Sequence, residues 1–300
     1  MKKGDTDSRR TKWIETGRGL LAESKIDLEA SRNLSKYEDE GIKRRRLFLL
    51  QQSLEKCVKS ILPELGLSLM SVPWLSSTHL FRAGTVPTTP LDILWKRGEP
   101  IFYTLERPKE LTHNPAERLD IASFLEDCYL FALAVENTEY AAACLTGLRL
   151  IESQDLGKIL SEIETEPGSL AEIESNVKGL GAIDIKNPKS LTKAQRETIL
   201  SSVDASTIHS VKATCRQFAL LALLSKNEQA ARYPETKGVP QDLLNNLNRI
   251  QNVVQRYISE SEEAYQRGLS SIELLTHMEE LLARNGNKTE SFKSHVRRRR

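Results

Sequence analysis

The chain has 300 residues, 39% of them hydrophobic and 28% charged, with a formal net charge of +2. That length and apolar content are enough for a buried core, which excludes a disordered or fibrous class. The longest apolar runs, Tyr129 to Val135 and Phe218 to Leu224, fall far short of the roughly 20 residues of a spanning helix, and the amino terminus has no apolar stretch behind its charges. The expectation is a soluble, cytoplasmic chain with no membrane partner. Charge concentrates at the ends: residues 1–10 and 284–300 together carry +8, leaving the body at −6. A mildly acidic body does not form a broad phosphate-binding face, whereas Arg297 to Arg300 add affinity for any polyanion.

In chain order, residues 1–11 read as a flexible basic terminus. Ile14, Leu21 and Leu28 repeat at seven, with Leu34 extending the face, and predict a helix from near Lys12 to Lys36. After the polar turn Tyr37 to Gly41, Leu47, Leu50, Leu54, Cys57, Val58, Ile61 and Leu62 form one helical face that Pro63 and Gly66 end. So short a turn favours antiparallel packing. Within that second helix Lys43 to Arg46 read as a solvated basic face. From Gly66 to about Asn114, five prolines and interspersed tryptophans break every helix, and Ile101 to Leu105 has the composition of a short strand. Helical periodicity returns at Pro115, with Asn114 as N-cap, and runs to Val135; Thr138 to about Glu152 follows, carrying small residues suited to close packing.

The stretch between Gly168 and Lys193 has weak helical character, after which Thr192 to Ser202 and Ile208 to Ala231 read as two helices. Leu243, Leu244, Leu247, Ile250, Val253, Val254, Tyr257 and Ile258 then define the cleanest stripe, and a last helix from about Ser271 to Arg284 precedes a basic disordered tail, residues 286–300. The expected fold class is all-α, a bundle of roughly eight helices.

Cys57, Cys128, Cys144 and Cys215 are scattered, without a CxxC pair or a histidine at zinc-ligand spacing, and read as reduced, mostly buried thiols. Phosphate-loop, dinucleotide, nucleophile-elbow and zinc-protease motifs do not occur, so no cofactor and no metal are expected. With aromatics at 6% and not interleaved with basic residues, a dedicated RNA-recognition module is not indicated.

Asp27, Leu28, Ala30 and Leu34 in the first helix, then Gln51, Gln52, Glu55, Lys56, Lys59 and Leu62 in the second, resemble the start of a HEPN domain. This helical family occurs in prokaryotic toxin–antitoxin and defence systems and beside minimal nucleotidyltransferases. Ala231 to Glu235 (ARYPE) resembles the turn that ends its penultimate helix, and Asp242 to Ile258 its closing helix. The resemblance implies a HEPN-like core of long antiparallel helices, with a first hairpin at 12–66 and closing helices at 207–285. Residues 67–206 would then be an inserted Pro-rich loop and helices. It also implies a homodimer, an RNA-linked role, and a nucleotidyltransferase or antitoxin as partner.

Gln51, Glu55 and Lys59 recur every fourth residue on one face beside the apolar stripe, with Glu before Lys in the favourable order. They form either a buried polar seam or the lining of a functional groove. Ribonucleases of the HEPN family carry Arg followed, after four to six residues, by His. In that chemistry His takes the ribose 2′-hydroxyl proton, Arg holds the phosphate, and no metal is needed. Arg107 and His113, in RPKELTH, have this spacing and are the candidate catalytic pair, with Pro108 where active members have a polar residue. The Thr78-His79-Leu80 and Thr112-His113-Asn114 sequences resemble a second family turn, and His209 is a third equivalent because it lies nearer Arg232. Arg232 and Tyr233 read first as a structural anchor. The functional alternatives are a metal-independent endoribonuclease and a non-catalytic dimerisation or partner-binding module.

Overall fold

A computed structural model describes residues 3–61, 121–134, 138–165, 193–233 and 238–267. Every regular element among them is a helix, as the apolar periodicity requires: α1 (Lys3–Asn33), α2 (Glu40–Ser60), α3 (Ile121–Ala134), α4 (Thr138–Ser153), α5 (Leu156–Thr165), α6 (Lys193–Lys226), α7 (Glu228–Arg232), α8 (Gln241–Asn245) and α9 (Leu247–Arg267). The all-α bundle is therefore observed. None of these helices is long and apolar enough to cross a membrane. The strand-like Ile101 to Leu105, the Pro-rich stretch and the helix at Ser271 to Arg284 lie outside the described residues.

α1 and α2 form the antiparallel hairpin that the short turn predicts. Asp39 caps α2 by accepting a hydrogen bond from the Ile42 amide at 3.1 Å. Halfway along the hairpin two serines allow close approach: Ser24 Oγ donates to the Ser53 carbonyl at 2.7 Å and Ser53 Oγ donates to the Ser24 carbonyl at 2.8 Å. At its far end Tyr265 Oη of α9 donates to the Ser60 carbonyl at 2.5 Å. The space for that phenol exists because residue 17 is glycine; a Cβ there would lie 2.7 Å from the Ser60 carbonyl oxygen.

α2 is central. Leu47, Leu50, Leu54, Cys57, Val58 and Ile61, its expected apolar face, are all buried, and α1, α6, α7, α8 and α9 pack around it. A second group of helices, α3, α4 and α5, packs on α6, and its apolar side chains join those of α2 in one continuous core. Gly147 of α4 faces Cys215 of α6, where a Cβ would lie 2.9 Å from the cysteine Cβ. The small residues of α4 therefore set the α4–α6 distance.

Several helix boundaries differ from the periodicity reading. α1 begins at Lys3 rather than near Lys12, so the stretch read as a flexible terminus is helical from residue 3; its polar residues include no proline to stop the helix. The expected helix Ile208 to Ala231 is interrupted at Asn227, between α6 and α7. α6 is a single helix through residues 203–207, where a break was expected. The polar sequence there contains neither glycine nor proline, and polarity alone does not stop a helix. α5 was not anticipated, although Leu156, Ile159, Leu160 and Ile163 keep helical spacing and all are buried, with Asp155 Oδ1 accepting from the Lys158 amide at 3.0 Å as its cap. The closing stripe is split at Asn246, whose side-chain amide donates to the Asp242 carbonyl at 2.9 Å, and this single residue separates α8 from α9.

Candidate functional site: the polar seam of α2

On α2 the residues that resemble the HEPN start divide between two neighbours. Lys56 leans toward α1, donating to Asp27 Oδ2 at 2.8 Å and pairing with Glu23 at 3.2 Å. Glu55 and Lys59 turn inward. Their side chains are each 7% exposed, and the Lys59 ammonium donates to Glu55 Oε1. The other oxygen, Glu55 Oε2, accepts from Gln51 Nε2 at 3.0 Å and Gln52 Nε2 at 3.4 Å, and Gln51 Nε2 also reaches Ser225 Oγ of α6 at 3.5 Å. Both charges are thus neutralised within one turn, and the carboxylate accepts hydrogen bonds from side chains of its own helix.

The late block meets α2 at two places. Arg232, at the end of α7, is 3.2 Å from Glu228 and stacks over the Phe48 ring at 4.9 Å. Arg46 donates to Asn248 Oδ1 at 2.8 Å and Gln251 Oε1 at 3.0 Å of α9. The basic run Lys43 to Arg46 is correspondingly committed: Lys43 pairs with Glu38 at 2.6 Å, Arg44 with Glu40 at 2.5 Å, and Arg45 stacks on Phe48 at 5.2 Å. It is not a solvated face along its whole length, because Arg46 is buried at 4% exposure.

Among the sequence candidates the fold brings Glu55 and Lys59 together and sets Arg232 beside α2. The backbone of His209 lies in α6, before the buried run that starts at Val211. Arg107, His113 and His79 lie outside the described residues. Among the described residues no group of three His, Cys, Asp or Glu side chains is placed to hold a metal ion.

All four cysteines are free and buried, as expected. Burial pushes the thiols of Cys57 and Cys144 up to about 12, far from the range of a reactive thiolate.

Glu260 of α9 escaped the sequence reading, since nothing in its spacing distinguishes it from a surface glutamate. Burial pushes its carboxyl up to about 7, against the pull of Arg256 and with the help of Glu263. Its Oε2 has no hydrogen-bond partner. Because the folded value lies above the ordinary 4.5, the native state holds this proton more tightly than the unfolded chain. Stability is therefore lost as pH rises from the unfolded value through the folded one. Urea midpoints measured from about pH 5 to about pH 8 should fall in the unmodified chain and fall less in Glu260→Gln, which stays neutral throughout. Equal slopes in both proteins would show that Glu260 ionises freely in the fold.

Comparison of the chain with protein-family models, curated proteins and solved structures gives no match.

Proposed function

We propose that the chain is a HEPN-like helical protein of an RNA-linked defence or toxin system, and that its described bundle is a non-catalytic dimerisation or partner-binding module. The observation that carries this reading is the inward, mutually paired state of Glu55 and Lys59. A groove that handles substrate needs its charged groups available to the ligand, and these two are committed to each other and to Gln51 and Gln52. Contact between its two blocks supports the HEPN reading: Arg232 stacks over Phe48, and Arg46 donates to Asn248 and Gln251. Expected partners are a second copy of the chain, a nucleotidyltransferase or an antitoxin.

A second reading, metal-independent cleavage of RNA with Arg107 as phosphate binder and His113 as base, is favoured by their spacing alone. Incubating a mixed RNA pool with EDTA separates the two. The first reading expects no cleavage by the unmodified protein or by His113→Ala, together with a mass above that of one chain in light scattering. Cleavage lost on substitution would replace it with the second reading; cleavage that survives would move the catalytic role to His79 or His209.

A further inference from the structure

We infer that the groove between α1 and α9 is the docking site of the chain's own segment 271–284, folded back as an antiparallel helix. The groove has a volume of about 530 Å³ and an apolar floor of Leu21, Ala22 and Ile26 from α1 and Tyr265 from α9. Ile26 is 68% exposed, the most exposed large hydrophobic among the described residues. Arg18, Lys25 and Glu262 border it, and Lys25 is ion-paired with Glu262 across the two helices.

Three features select this occupant. The first is connectivity: α9 reaches Arg267, one residue past the Glu262–Gln266 wall of the groove, so the next residues of the chain begin at its mouth. The second is the turn chemistry that follows. Gly268 suits the left-handed position that ends a helix, and Ser270 with Glu273 has the Ser-x-x-Glu spacing of a capping box. Two helices joined by so few residues pack antiparallel. The third is amphipathicity: Leu274, Leu275, Met278, Leu281 and Leu282 fall on one stripe, while Glu273, Thr276, Glu280 and Arg284 fall opposite. The segment carries net negative charge, and the rim supplies Arg18 and Lys25 against the single acid Glu262.

The register follows from the fold. α1 and α9 are antiparallel, because Lys25 meets Glu262 while Arg32, further along α1, bonds to the earlier Gln255 at 2.6 Å. A helix turning back from α9 therefore runs parallel to α1. Fourteen residues at 1.5 Å per residue span about 21 Å, the distance from Arg18 to Arg32, so Leu275 arrives opposite Ala22 and Met278 reaches the level of Ile26. This inference goes beyond the proposed function and stands or falls without it.

The test uses the full chain with Ile26→Cys and Met278→Cys, beside a control pairing Ile26→Cys with Glu280→Cys on the polar face. The four natural cysteines are buried, so mild oxidation acts on the introduced pair. A disulfide within one chain is expected, formed at about ten times the control yield because only the first pair brings its Cα atoms within bridging distance, and unaffected by dilution. Disulfide-linked dimers would overturn the inference and assign the groove to a second copy; equal yields, or none, would overturn it outright. Hydrogen exchange on the unmodified chain is the independent check. Amides of 274–282 should exchange about a hundredfold more slowly than free peptide and lose that protection in Ile26→Glu. Exchange at the free rate in the unmodified chain would also overturn the inference.

Discussion

Replacing Lys59 with alanine should destabilise the protein by about 3–5 kcal/mol, the cost of leaving a buried carboxylate without its counter-charge. Glu55 and Lys59 are each 7% exposed at the side chain, so neither survivor of a single substitution regains water without moving α2. Glu55→Ala should cost a similar amount, because it strands the ammonium and removes the acceptor of Gln51 and Gln52. The double replacement Glu55→Leu with Lys59→Met removes both charges and keeps the volume. It should return most of the loss, since a buried pair often contributes little net stability relative to apolar residues of the same size. Urea unfolding of the four proteins separates the cost of a stranded charge from that of an apolar replacement. The same pair in an open, solvated groove would lose less than about 1 kcal/mol in either single variant. The magnitude therefore decides between the seam and the groove lining, the two readings that the sequence left open.

Why the sequence could pose that choice without resolving it is visible on α2. The alternation of Leu47, Leu50, Leu54 and Val58 with Gln51, Glu55 and Lys59 is legible as two adjoining stripes. Which neighbour covers the polar stripe depends on distant elements, as the Gln51–Ser225 contact with α6 across 174 positions shows. Helix existence was legible wherever an apolar stripe ran long, as in α2 and α9. Boundaries were less so. The helical run of α6 crosses a polar stretch that breaks the apolar pattern without breaking the backbone, and α5 is only ten residues long, so its stripe is a single repeat. The elevated carboxyl of Glu260 had no sequence signal at all, because its cause is desolvation by the packed neighbours.

Tyr140→Ala should be as costly as the loss of the ion pair, about 3–5 kcal/mol, since it deletes a fully buried aromatic ring. Tyr140 sits at the start of α4, 0% exposed, with its phenol hydrogen-bonded to the thiols of Cys128 on α3 and Cys144 on α4. Burial holds that phenol well above its ordinary value, so it remains a neutral hydroxyl that can donate. Tyr140→Phe keeps the ring and loses only these bonds, for about 0.5–1.5 kcal/mol. The contrast between the two variants separates filled volume from hydrogen bonding. Their unfolding curves also bear on the organisation of the chain. Tyr140 belongs to the second group of helices and Lys59 to the first, yet their apolar neighbours form one core. If that core unfolds as one cooperative unit, Tyr140→Ala and Lys59→Ala shift the same single transition, and fluorescence and circular dichroism follow it together. Two separable transitions, each moved by one substitution alone, would mean that the helices of 121–165 unfold apart from the α1–α2 hairpin despite the shared apolar contacts.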